Sequence, residues 1–311
     1  VKHEYSNGVL RSFLTSWTFQ NDEEAIKEIP PFELYDETPR MFARNMLSSC
    51  SQNAILFVNG DNDTYPLLYE QIKNNFRQDV LVVNLSLLES HYYVNRILNS
   101  YLKSQGVQMT MQENDYAGNE NDYFLQDSDR FKQCMNVAGM EYQINDYYLT
   151  RGNAIIYDII KGNNWKRPIC IGIFCPRRTF SPLWKYARQR GLVLEMTKEK
   201  GNDYPVDIDL NFNLNYYKNV YEYCSYKAPL TDWQKDIGYS ISSYFANVIN
   251  TMLQKGKIND AEALYQIYEK NFPDELLDAN YFTINFVYQF KGSEAGNIKA
   301  QNVLSKLQKD Y

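Results

Sequence analysis

The amino-acid sequence predicts an α/β protein: a mostly parallel sheet with flanking helices, followed by an all-α, tetratricopeptide-like helical region. Three observations lead to this. Continuous apolar runs of strand length occur at residues 54–58, 80–85 and 169–174, and such runs mark strands covered on both faces, as in parallel sheets. A helical stretch joins the first two runs within about 35 residues, the span of a βαβ unit. From about Leu210 the strand-like runs stop and helical spacing takes over.

A chain of 311 residues has room for about two domains. Residues 1–38 read as an irregular lead-in, with Pro30-Pro31 and the acidic stretch Asp22-Glu23-Glu24. The α/β domain is expected over 39–205 and the helical domain over 206–311.

Within the α/β domain, Met41, Phe42, Ala43 and Met46 suit a short helix. The strand Ala54-Ile55-Leu56-Phe57-Val58 follows and ends on Gly60-Asp61-Asn62-Asp63-Thr64. Thr64 is expected to cap a helix running through Pro66 to about Asn75, since proline is welcome in a first helical turn. The second strand covers 80–85. A helix from His91 to Ser104 should bury Val94, Ile97, Leu98, Tyr101 and Leu102. Residues 114–133 read as a polar surface excursion. A helix from Arg151 should end at Gly162, then comes the strand 169–174, a helix over 182–189 closed by Gly191, and a last strand at 192–196.

In the C-terminal region Gly256, Ala261, Tyr265 and Pro273 stand at tetratricopeptide spacing. Helices over 276–290 and 295–308 would extend the array.

Composition narrows the function classes. Hydrophobic residues make up 44% and charged residues 23%, as in ordinary globular chains. The formal charge is −6 and no segment is strongly basic, which disfavours a nucleic-acid partner. The 27 tyrosines, 16 phenylalanines and 4 tryptophans serve cores, or surfaces that stack on sugars and partner proteins. Five cysteines, at positions 50, 134, 170, 175 and 224, form no CxxC pair, and His3 and His91 are the only histidines. A structural zinc site is not expected. Nearness in sequence alone singles out Cys170 and Cys175 as a pair.

The principal candidate site is the acidic loop, directly beyond the end of a strand, where open α/β sheets bind ligands. Two carboxylates two residues apart, Asp61 and Asp63, suit one Mg²⁺ or Mn²⁺ that keeps waters and phosphate as its other ligands. Three site readings follow: a phosphotransferase with Asp61 as nucleophile and Asp63 as acid, a metal-diphosphate transferase, and a binding module in which Asp61, Asn62, Asp63, Thr64 and Tyr65 meet sugar hydroxyls without any cofactor. A fourth reading is structural, because Asp and Asn in such turns also bond the free amides of the next helix. Asn84 and Ser86 end the neighbouring strand, and two readings stand for them: they face the same crevice, or they stabilise their own turn by hydrogen bonds. His91 lies just beyond. A separate cluster, Trp165-Lys166-Arg167, presents cations beside an indole for a phosphate or glycan, or packs as a plug before the third strand.

Three segments together resemble a known family: residues 53–67 (NAILFVNGDNDTYPL), 79–88 (DVLVVNLSLL) and 163–169 (NNWKRPI). They resemble the soluble C-terminal region of a bacterial multi-pass membrane-protein family related to protein O-mannosyltransferases. The resemblance covers about residues 39–196, with Leu68 where the family tends to have Trp and Glu89-Ser90-His91-Tyr92-Tyr93 where it tends to have Asn-Thr-Asp-Trp-Tyr. It implies an extracytoplasmic, periplasmic accessory domain that meets a glycan, an acceptor protein or its own membrane domain, with the transferase chemistry residing in the membrane half. The first residue, Val1, carries no leader sequence, and the expectation is that a signal, anchor or upstream region has been removed. The alternatives are an autonomous metal-dependent enzyme using Asp61 and Asp63, and a tetratricopeptide-type interaction scaffold.

Overall fold

The computed structural model describes residues 6, 8–9, 33–116, 124–125, 134–143, 148–201, 206–223, 230–273 and 276. The chain divides into two units, one of Val1–Gln189 with Val193–Asp207 and one of Arg190–Leu192 with Ile208–Tyr311.

In the first unit, helix α1 (Glu37–Ser49) buries Met41, Phe42 and Met46. Strand β1 (Ile55–Val58) leads through α2 (Asp61–Lys73) to β2 (Leu81–Asn84). All four residues of each strand are buried, and β1 and β2 are parallel, with Ile55 beside Leu81. The expected βαβ unit is therefore present. A 3-10 turn (Ser86–Glu89) and a π turn (Tyr93–Leu98) lead into α3 (Asn99–Ser104). Val94, Leu98 and Leu102 are buried along this stretch.

Beyond the short α4 (Glu113–Tyr116), β3 (Phe124–Leu125) pairs with β6 (Tyr148–Leu149). Between them β4 (Cys134–Val137) and β5 (Met140–Gln143) form an antiparallel hairpin, which sequence periodicity did not predict. The excursion expected over 114–133 lies mostly outside the described residues.

Helix α5 (Arg151–Asn163) precedes β7 (Ile169–Gly172), which runs parallel to β1 on the side away from β2. Its end corrects an expectation. Gly162 lies inside the helix because the chain at Gln108 comes so close that an added Cβ would stand 1.9 Å from the Gln108 carbonyl oxygen. The helix stops instead at Asn164, which has φ of 43°, a conformation asparagine tolerates.

The remaining strands make the sheet mixed rather than mostly parallel. After a 3-10 stretch (Arg177–Tyr186), β8 (Ala187–Arg190) and β9 (Val193–Met196) form a hairpin, and β10 (Asp207–Ile208) completes the order β10-β8-β9-β7-β1-β2. Strand β9 is antiparallel to β7. The helix expected over 182–189 gives way to β8, where Ala187 to Arg190 alternate buried and half-buried side chains, a period of two. The 3-10 stretch and β8 use up the chain that a crossover helix would need.

In the second unit α6 (Leu210–Asn215) runs into a π turn (Tyr216–Val220), and α7 (Asp232–Gln254) packs on α8 (Ile258–Asn271). Gly256 turns the chain between α7 and α8 at φ of 71°. Ala261 and Tyr265 are buried. Tyr217 stacks on Phe245 with ring centroids 4.0 Å apart. Among the described residues this is a helical pair; the helices expected over 276–290 and 295–308 lie almost wholly outside them.

Candidate functional site

The acidic loop lies at the carboxyl edge of β1. Here the chain leaves β1 toward β2, whereas it leaves β7 toward β9 in the opposite direction. Such a reversal is the place where open α/β sheets take ligands. Gly60, at φ of 80° and ψ of −178°, occupies a region that is nearly glycine-only. This turn starts α2 at Asp61.

That start point changes the roles read from the sequence. Thr64 does not cap the helix; it sits inside it, and its hydroxyl donates to the Gly60 carbonyl at 2.5 Å. Pro66 is likewise inside α2. Asp63 is 4% exposed, and its carboxylate accepts the Asn59 amide N–H at 2.7 Å. It therefore holds the turn. Burial raises the Asp63 carboxyl to about 7 against the opposing pull of the amides, with the nearby Asp61 charge adding a little.

Asn84 is buried at the end of β2 and completes the turn. Its Nδ2 donates to Thr64 Oγ1 at 2.9 Å and to the Gly60 carbonyl at 3.3 Å, while its Oδ1 accepts the Leu87 N–H at 3.2 Å. From the β7 side, the buried Cys175 thiol donates to the Phe57 carbonyl at 3.2 Å. Burial raises that thiol well above its usual range, and the Asp63 carboxylate adds to it. Asp63, Thr64 and Asn84 are thus buried within the turn; Asn62 and Ser86 are exposed and Asp61 is half-buried. Tyr65 joins Leu34, Tyr35 and Tyr69 in a buried aromatic cluster. Two carboxylates in the first turn of α2 oppose the anion binding that a helix N-terminus otherwise favours.

His91 Nε2 stands 3.2 Å from Glu113 Oε1 without making an aligned hydrogen bond. Its ring lies 5.8 Å from that of Tyr116. The adjacent Tyr92 is 41% exposed.

Trp165, Lys166 and Arg167 lie at the opposite edge of the sheet, before β7 begins. Strands of four residues put about 10 Å or more between the two edges. Arg167 is a clamp: Nε donates to the Asn53 carbonyl at 2.7 Å and a terminal nitrogen to the Asp79 carbonyl at 2.5 Å. Those carbonyls lie two residues before β1 and β2 begin. Trp165 Nε1 donates to the Ala138 carbonyl in the β4–β5 turn, and Lys198 Nζ lies over the indole at 5.7 Å. Lys166 is exposed.

A second clamp at this edge went unread in the sequence. Arg77 donates to the Leu47, Cys50 and Ser51 carbonyls and pairs with Asp79, whose carboxyl it holds below the usual range. The Arg77-Gln78-Asp79 spacing before a strand was the available signal.

Among the described residues no group of three or more His, Cys, Asp or Glu side chains is placed to hold a metal ion, and no helix is long and apolar enough to cross a membrane. The family model for TMEM260-associated domain 2 matches residues 39–138 and 131–210. The chain belongs to the TMEM260-associated domain 2 family. The match spans α1 through β10, so the acidic loop and both arginine clamps belong to the TMEM260-associated domain. No curated protein and no solved structure matches the chain.

Proposed function

We propose that this TMEM260-associated domain is a non-catalytic accessory module of an O-mannosyltransferase-like membrane protein, extracytoplasmic and tethered through that protein. In this reading it presents the carboxyl edge of β1 and β2 to a glycan or a glycan-acceptor protein. The observation that carries it is the Asp63 carboxylate: it is buried and accepts the Asn59 amide, so the group that acid or metal chemistry at Asp61 would call on maintains the turn. At this edge Asn62 and Ser86 are exposed and Asp61 is half-buried, and further along the chain Tyr92 is 41% exposed. A carboxylate, an amide, a hydroxyl and an aromatic face are the groups that recognise sugar hydroxyls and ring faces.

The test is a titration of the whole chain with neutral oligosaccharides, mannosides included, and with acceptor peptides, followed by NMR. Binding that shifts the loop resonances and weakens at least tenfold in Asn62→Ala supports the reading. Mg²⁺- or Mn²⁺-dependent hydrolysis of a sugar phosphate that disappears in Asp61→Asn overturns it in favour of an enzyme.

A tetratricopeptide-style scaffold is the second reading, supported by Gly256 in the turn and the buried Ala261 and Tyr265 of the α7–α8 pair. A protein partner captured by wild type and lost in Ala261→Trp, with glycan binding absent from both, favours it.

A further inference from the structure

Two buried thiols outside the candidate site, Cys50 and Cys170, lie where α1 packs on β7. Met46 of α1 lies over Gly172, its sulfur 3.3 Å from the position of an added Cβ. Four residues of helix advance about 6 Å and two residues of strand about 6.6 Å. If α1 runs against the direction of β7, Cys50 comes over Cys170, which shares a sheet face with Gly172.

The observed contacts agree with that register. Cys50 caps α1 and folds its thiol back toward the Met46 carbonyl at 3.5 Å. The Cys170 thiol lies beside the Cys50 side chain and the Ser51 backbone. Glu195 Oε2 accepts the Ser51 hydroxyl at 2.6 Å and stands 3.7 Å from Cys170 Sγ. Both cysteines are buried and carry free thiols. The pairing that nearness in sequence singled out, Cys170 with Cys175, is not the one the packing makes, since the Cys175 thiol is turned to the Phe57 carbonyl.

We infer that Cys50 and Cys170 are a cross-linking site, joined as a disulfide when the chain folds in the presence of a disulfide oxidant. The balance is simple. Two S–H bonds break, one S–S bond forms, and the two protons released are taken up by the two thiolates that leave the oxidant. The two electrons reduce one oxidant disulfide to two thiols. Because both sulfurs are buried in the folded chain, exchange takes place before α1 docks on β7. The bond would close a loop of more than 100 residues, which constrains the unfolded chain strongly.

The full chain is reduced, unfolded and refolded in a mixture of oxidised and reduced glutathione, with a parallel sample in dithiothreitol. Free thiols are then alkylated and the digest is mapped without reduction. Trypsin has no site between Cys170 and Cys175, so the two share a peptide, and the mapping is done on Cys175→Ala; fragment-ion sequencing of wild type serves if that variant does not fold. The expected result is a peptide linking Cys50 to Cys170 and a melting temperature roughly 5–15 °C above the dithiothreitol sample, a difference lost in Cys50→Ser. Recovery of Cys50 and Cys170 as alkylated thiols, or joined to other cysteines, overturns the inference.

Discussion

Asn84 at the end of β2 donates its amide to the Thr64 hydroxyl at 2.9 Å, tying the second parallel strand to the first turn of the helix that follows the first strand. The Thr64 hydroxyl in turn donates to the Gly60 carbonyl, so one buried hydroxyl serves both sides of the βαβ crossing.

Removing that hydroxyl should destabilise the domain. Thr64→Val keeps the shape and leaves the buried Asn84 amide with the longer contact to Gly60 alone. The expected cost is about 1–3 kcal/mol, read as a lower urea midpoint with unchanged slope. Asn84→Ala alone and the double variant complete a cycle; strict additivity would show that the two side chains do not act together.

Asp63 should make stability fall as pH rises. Its folded value is about 7 and its ordinary value 3.8, so the folded chain binds the proton more tightly than the unfolded one. The contribution is full below about pH 4 and is lost as pH climbs through 7. The gap between the two values corresponds to an upper bound of about 4 kcal/mol. Asp63→Asn keeps an oxygen for the Asn59 N–H and should flatten this dependence between pH 5 and pH 8. Equal slopes for the two proteins in urea unfolding would contradict the assignment.

Arg167 should not tolerate lysine. A guanidinium reaches the Asn53 and Asp79 carbonyls together, whereas an ammonium is a single point of donors. Arg167→Lys is expected to cost about 2–3 kcal/mol in chemical denaturation. Ligand affinity at the opposite sheet edge should stay within twofold of wild type.

Gly162→Ala reverses the usual helix preference. Alanine normally gains about 1 kcal/mol over glycine inside a helix, but here its methyl would meet the Gln108 carbonyl oxygen at 1.9 Å. A net loss of about 1–3 kcal/mol is expected from overpacking. A melting temperature at or above wild type would show that the 107–109 segment yields.

The first strands were legible because burial on both faces leaves a local mark. Ile55 to Val58 and Leu81 to Asn84 are apolar almost throughout and bounded by turn residues, and the acidic loop was found by its place at the end of such a run. The β4–β5 hairpin lacked that mark. Strand β8 reads Ala-Arg-Gln-Arg, and its state follows from pairing with its neighbours rather than from any propensity of its own.

The sequence by itself determined the βαβ core, the position of the acidic loop and the change to helices near Leu210, since each is written in the spacing of apolar residues along a single stretch. Tertiary structure alone decided what the loop's side chains do: Thr64 bonds back within α2 and across to β2, Asp63 turns inward to Asn59, and Asn84 arrives from a strand 20 residues away in the chain. It also decided that the Trp165 cluster belongs to the other sheet edge and that Cys170 meets Cys50 rather than Cys175. The physical reason is that a hydrogen bond or a thiol contact depends on which atoms packing brings within about 3–4 Å. For partners far apart along the chain, only the fold sets that distance.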